Sequence, residues 1–388
     1  MKKILVITGS RAEYGLLRLL LKKLKKIKKF NTKLLVTGSH LSKKHGYTIS
    51  EIINDKINID YKIDIKIQHD LEKNITDSVS IILKKISSVY SKDRPDLLII
   101  LGDRYELLAP AFAALVFRIP IAHIHGGEVT NGAYDDAIRH SISKMSNLHF
   151  VSNLTYKNRL IQLGEISKDI HITGGMGVDA IKNLKLYKKA DLEKIIKIKF
   201  GKKNLIVTLH PETKSPGLNK IYIENLLKAL SKLTDTTIIF TCANADNDNL
   251  IINQKIKKFT YKNLNSHFFF SLGQKKYLSC LKYVDAVIGN SSSGILEAPS
   301  FKIATINIGN RQDGRVMASS VINTDYKSKA IHETIKKVYS NSFKKILKSS
   351  KNPYGNGGAT DNIINILLKN KRFSIKKKFN DLGFNENK

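Results

Sequence analysis

The chain has 388 residues, 42% of them hydrophobic, and sets 66 Lys and Arg against 33 Asp and Glu for a formal net charge of +33. That length is too great for one comfortable core and suits two domains, while no apolar run approaches the roughly 20 residues of a membrane span. The two cysteines, Cys242 and Cys280, are too few for a disulfide framework or a thiolate metal cluster and read as buried free thiols of a cytoplasmic protein. The basic excess is mostly lysine spread over helices, and arginine, the better reader of phosphates and bases, is scarce. This argues against nucleic acid and membrane as partners. It leaves a positive field suited to an anionic small substrate.

In chain order, residues 1–9 have the look of a short signal peptide, but the apolar run ends in a Gly turn with no cleavage site after it, so they read as a first buried strand. Further strands are expected at 33–37, 96–101, 121–125, 148–151 and 171–173. Helices are expected at 14–27, 75–89, 107–117 and 136–145, from apolar residues at helical spacing. The second half repeats the pattern, with strands at 204–209, 237–241, 284–288 and 304–308, helices at 222–233 and 295–300, and a last helix at 361–368. Alternation of this kind implies parallel sheets covered on both faces. The expected fold is α/β, with two doubly wound Rossmann-like domains facing a cleft. The break falls near Gly174-Gly175-Met176-Gly177. It divides the chain into 1–175, 176–370 and a loosely held basic tail, 371–388.

In open parallel sheets ligands bind beyond the carboxyl ends of the strands, and the unusual polar residues of this chain lie there. Gly9-Ser10-Arg11 is a Gly turn with an arginine at a helix start, which suits a phosphate. Asp103 follows a strongly apolar strand and is either catalytic or an N-cap. His123, His125, Glu128, Asp135, Asp136 and His140 crowd a short stretch. Period-two spacing puts the first two histidines on one side of their strand. Acid–base work is the favoured reading, because the helical His-Glu-x-x-His spacing of a zinc site is absent. His210, before Pro211 and Glu212, is a ligand or a satisfied core residue. Asn290-Ser291-Ser292-Ser293-Gly294 is a hydroxyl-rich turn opening a helix, an anion cradle with Glu297 placed to accept from ribose hydroxyls. Arg311 and Arg315 add two guanidiniums downstream.

Taken in order, the segments 8–17, 102–106, 123–128, 134–145, 210–212, 289–297, 307–315 and 352–355 resemble the hydrolysing UDP-N-acetylglucosamine 2-epimerases of bacterial sialic acid synthesis, the NeuC type. The resemblance covers the chain to about Leu368. No single motif decides it, but the ordered set is highly specific. It implies a GT-B-like pair of domains, with the second holding the nucleotide. His210, Ser291, Ser292 and Glu297 would meet diphosphate and ribose, with Arg11 contributed by the first domain and Arg315 by the second. Asp103 and Asp135 match positions held to be catalytic in relatives. Many members read His-x-Glu-Gly-Gly-Glu, and this chain has His125 at the first Glu, so that residue's task falls to His125 or Glu128. The implied substrate is UDP-N-acetylglucosamine and the products are UDP and N-acetylmannosamine, with no metal or other cofactor, in a homodimer or homotetramer. The C2 proton of the sugar is not beside a carbonyl, so anti-elimination of UDP to 2-acetamidoglucal, then addition of water, is the expected route. A related substrate, a UDP- or GDP-linked diacetamido trideoxy sugar of legionaminic acid synthesis, would use the same chemistry. Non-hydrolysing relatives usually read Gly-Thr-Arg-Pro-Glu where this chain has Gly9-Ser10-Arg11-Ala12-Glu13.

Overall fold

Unbroken Leu/Ile/Val runs build the middle of two sheets. The computed structural model describes residues 1–43, 46–65, 72–130, 134–212, 217–243 and 249–383. Thr213, beside the His210 motif, and the tail residues 384–388 lie outside that set. Residues 1–129, 133–180 and 357–388 form one unit, and residues 130–132 and 181–356 the other.

The first unit has seven parallel strands: β1 (Lys2–Thr8), β2 (Phe30–Thr37), β3 (Tyr61–Ile63), β4 (Leu97–Leu101), β5 (Ile121–Ile124), β6 (Leu148–Val151) and β7 (Ile170–Ile172), in the order β3-β2-β1-β4-β5-β6-β7. All five residues of β4, Leu-Leu-Ile-Ile-Leu, are buried. Helices cover both faces, as a parallel sheet requires. Helix Arg11–Leu24 places Leu17, Leu20, Leu21 and Leu24, at helical spacing, against one face with Val6, Leu34 and Ile99. On the other face, Ile82 and Ile86 of helix Glu72–Lys92 meet Leu98 and Ile100.

The second unit repeats this with six parallel strands: β8 (Lys203–Thr208), β9 (Thr236–Thr241), β10 (Ser266–Phe269), β11 (Ala286–Gly289), β12 (Ala304–Ile308) and β13 (Val321–Thr324), ordered β10-β9-β8-β11-β12-β13. Strands β3, β10 and β13, all at sheet edges and only partly buried, have no counterpart in the sequence reading. Cys280 is buried as expected, whereas Cys242 is only half-buried, and both are free. Among the described residues, no helix is long and apolar enough to cross a membrane.

The C-terminal boundary differs from the sequence assignment. Helix Ala359–Lys369, placed by sequence in the second domain, completes the first. Its Ala359, Ile363, Ile364 and Leu367 join the core that holds Leu17, Leu20 and Leu21. Buried Asp179 receives the N–H groups of Gly358 and, at 2.7 Å, Thr360, and so satisfies the positive end of this helix. The residues beyond it are also held rather than loose. Lys377 Nζ donates at 2.6 Å to the carbonyls of Lys144 and Ser146 and pairs with Glu165 at 2.7 Å. Phe379 lies against Gly164. A Leu367→Ala substitution, at a fully buried site, is expected to lower unfolding free energy by about 2–5 kcal/mol in chemical denaturation.

Candidate active site

In the first sheet the strand order reverses between β1 and β4, the crevice where doubly wound sheets bind ligands. After β1, Ser10 caps helix Arg11–Leu24 by accepting from Glu13 N at 3.3 Å, while Glu13 Oε2 accepts from Gly9 N at 2.7 Å. This is a capping box, a Ser-x-x-Glu spacing that the sequence reading passed over. Arg11 is exposed and pairs with Glu51 at 2.7 Å. Glu13 is buried, and its carboxyl is pushed up to about 7 by desolvation and then by the neighbouring Glu106, with Arg104 opposing. Arg104 grips Glu106 through Nε at 3.0 Å and Nη2 at 2.8 Å and lies 3.7 Å from Glu13.

Asp103, after β4, does not cap the next helix. The cap position of helix Tyr105–Val116 is Arg104, which makes no side-chain cap bond. Asp103 instead takes a hydrogen-bonded ion pair from Arg139 Nη2. Arg139 is 3% exposed. Its Nη1 donates to the Glu128 carbonyl at 2.9 Å and to Asp136 Oδ1 at 3.2 Å. One guanidinium thus ties the loop after β4, the loop after β5 and helix Tyr134–Met145 together. Asp135, half-buried, and Asp136 stand in the first turn of that helix, where carboxylates are favoured by its dipole.

The two histidines of β5 part company. His123 is buried, its Nε2 lies 2.8 Å from the Gly102 carbonyl and its Nδ1 3.0 Å from Ser143 Oγ. Burial pushes it down to about 3, so it is a neutral structural post. The strand's alternation ends at Ile124, and His125 lies beyond it with φ 67°. His125 Nδ1 is 3.6 Å from Glu128 Oε1, and its Nε2 accepts from Met176 N at 3.4 Å. The bend continues through Gly127, with φ 73°, where a Cβ would come within 2.5 Å of the Tyr156 carbonyl. Arg159 closes the turn by donating to the Gly127 carbonyl at 2.6 Å.

In the second sheet the reversal falls between β8 and β11. Asn290, buried after β11, joins the loops there. Its amide exchanges two hydrogen bonds with the His210 backbone, 2.7 and 2.9 Å, and its carbonyl accepts from Arg311 at 3.2 Å and Gln312 at 2.9 Å. His210 is buried and pushed down to about 3, by desolvation first and then by Arg311. Gly289 has φ 130°, and any Cβ there would collide with the Thr208 carbonyl. Ser291 accepts from Ser293 N at 3.4 Å. Tyr277 donates to Ser293 Oγ at 2.8 Å, and Ser293 donates to Glu297 at 2.5 Å. Burial pushes the Glu297 carboxyl up. The helix opening at Ser292 runs only to Leu296. The turn therefore offers Ser291, Ser292 and Ser293 hydroxyls and the amide of Gly294 more than a helix dipole. Arg315 is half-buried in the loop after β12.

Arg139 and Arg104 carry no signal in the sequence, because a cation held between carboxylates leaves no spacing signature, and neither do their partner Glu106 and the loop-joining Asn290. Among the described residues no three His, Cys, Asp or Glu side chains are grouped to hold a metal ion.

A family model described as UDP-N-acetylglucosamine 2-epimerase matches residues 22–368. The chain is 41% identical over 344 residues, 88% of its length and 89% of the relative's, to the GDP/UDP-N,N'-diacetylbacillosamine 2-epimerase (hydrolyzing) of Campylobacter jejuni. It is equally 41% identical over 371 residues, 95% of its length and 94% of the relative's, to the polysialic acid biosynthesis protein P7 of Escherichia coli. The crystal structure of UDP-GlcNAc 2-epimerase from Neisseria meningitidis bound to UDP-GlcNAc superposes with a TM-score of 0.80 at 21% identity, covering 95% of this chain and all of that one. The expected GT-B-like fold class, two parallel-sheet α/β domains, is thereby found.

Glu13 titrates higher folded than unfolded, so the stability it contributes is present below its ordinary value of 4.5 and is lost as pH rises through about 7. A Glu13→Gln variant, measured by denaturation from pH 4.5 to 8, should gain about 2–3 kcal/mol relative to the parent across that window.

Proposed function

The chain belongs to the UDP-N-acetylglucosamine 2-epimerase family, and on that premise we propose that it is a hydrolysing 2-epimerase that converts UDP-N-acetylglucosamine and water to N-acetylmannosamine and UDP. The observation that carries this reading is the carboxylate cluster around Arg139, which holds Asp103 and Asp136 beside the backbone of Glu128. Such a cluster suits proton transfer at carbon without a metal.

In this reading the second unit takes the nucleotide. His210, Ser291, Ser292, Ser293, the amide of Gly294 and Arg315 meet the diphosphate, and Glu297 meets the ribose. Negative charge growing on the leaving diphosphate is stabilised by these donors as the anomeric C1–O bond breaks. The C2 proton becomes acidic as C1 gains oxocarbenium character. A carboxylate removes it, the C2–H electron pair forms the C1–C2 double bond, and UDP leaves, giving 2-acetamidoglucal. Water then adds its oxygen at C1 while a proton returns to C2 from the other face. This needs an acid and a base on opposite sides of the ring. Asp103, Glu128 and Asp135 are assigned to these tasks, with His125 Nδ1 standing 3.6 Å from Glu128 Oε1.

A second reading has a specific warrant. The Campylobacter jejuni relative, at 41% identity, is named for a diacetylbacillosamine nucleotide. The elimination would be unchanged, and only contacts to the sugar's C4 and C6 groups and to the base would differ.

A proton NMR time course in deuterated water tests both. UDP-N-acetylglucosamine should yield UDP and N-acetylmannosamine carrying deuterium at C2. Turnover of only the UDP- or GDP-linked diacetamido sugar would move the assignment to the second reading. Formation of UDP-N-acetylmannosamine without free sugar would overturn hydrolysis. Asp103→Asn is expected to lower kcat by about 100-fold to 10,000-fold, and wild-type turnover would remove Asp103 from the mechanism.

A further inference from the structure

A cavity of about 510 Å³ lies in the first unit where β1, β4 and β5 begin, at the end of the sheet away from the carboxylate cluster. Five cations line it, Lys2, Arg94, Arg118, Lys371 and Arg372, against one carboxylate, Asp96. Asp96 is already committed, since its Oδ2 accepts from Lys3 N at 2.7 Å. Lys2 Nζ bonds the Asn370 carbonyl and sits 4.7 Å over the Phe373 ring. Arg94 uses Nη2 to donate to the Arg118 carbonyl at 3.0 Å. Among the described residues the guanidiniums of Arg94, Arg118 and Arg372 face no carboxylate partner within ion-pair distance.

The residue type is informative in this chain. Only ten of its 66 basic residues are arginine. Arg11, Arg104, Arg139 and Arg159 lie on or against the loops after strands of the first unit, Arg311 and Arg315 lie after β12 in the second, and Arg18 pairs with Asp55. The remaining three, Arg94, Arg118 and Arg372, gather at this one cavity. A chain that otherwise fills its surface with lysine has placed planar, bidentate donors here, and those match phosphate oxygens. Phe373 and Ile375 supply an apolar wall, and the volume lies in the range of small-molecule sites.

We propose that this cavity binds a small, multiply charged phosphate compound, held by Arg94, Arg118 and Arg372, with its organic part against Phe373 and Ile375. The site is separate from the nucleotide-binding loops assigned above and does not depend on the reaction proposed there.

Calorimetric titration of the full chain with inorganic pyrophosphate, in the presence of saturating UDP, tests it. One pyrophosphate should bind per chain. The exposed pair Arg94→Ser/Arg372→Ser should weaken that binding by about tenfold or more, while UDP affinity and turnover without pyrophosphate stay as in the parent. The control pair Lys344→Ser/Lys345→Ser, exposed in the second unit, removes equal charge and should leave pyrophosphate binding unchanged. Absence of binding to the UDP-saturated protein, or an equal loss in the control pair, would overturn the proposal. Should UDP itself fail to bind, the proposed reaction is in trouble, but the contrast between the two variant pairs still reads the cavity alone.

Discussion

A strand sealed on both faces can carry charge only at its ends, and this constraint organises everything else in the molecule. β4 is buried along its whole length, and so is β11. The first polar groups after them, Asp103 and Asn290, are the first positions where a polar side chain can be solvated or paired. Repetition of one strand order in both sheets puts such positions at the same topological place twice. The two halves then diverge by chemistry. The first unit gathers carboxylates around an arginine, and the second gathers hydroxyls, amides and arginines.

Burial also sorts the histidines and acids. His123 and His210 are each pushed down to about 3 and are neutral near pH 7. His123 is thereby a hydrogen-bonding post between the Gly102 carbonyl and Ser143. The carboxylates are held by charge. Arg139 is almost wholly out of water, and it is tolerable there because Asp103, Asp136 and the Glu128 carbonyl all receive its protons. Removing any one partner would leave a buried cation undercompensated, which is far costlier than losing a surface pair. The geometry of three separate chain segments is thus fixed by a single side chain.

Much of this was legible in the residues. The central strands announce themselves as apolar runs, and the polar residues following them mark the loops of the candidate site. Edge strands such as Tyr61–Ile63 and Val321–Thr324 are half-exposed, so the period that identifies a strand is diluted. Asp103 was readable as an unusual residue but not as the partner of Arg139, 36 positions away. Spacing reports neighbours along one element, not a charge shared among three. The turn at Ser10 shows the converse. Its Ser-x-x-Glu pattern is a local signal for a capping box, and the structure forms one there. The C-terminal boundary was missed for the same reason as the partner of Asp103. The apolar face of helix Ala359–Lys369 says that it packs, but not on which core.

That returning helix bears on how the protein is made. Ala359, Ile363, Ile364 and Leu367, which share a core with the leucine face of helix Arg11–Leu24, are translated more than 300 residues after it. Domains that close early can fold as they emerge. Here the first half of the chain must wait with part of its apolar surface uncovered while the second half is synthesised and folds as an insertion within it. The unit whose first strand comes earlier in the chain is therefore the one completed last.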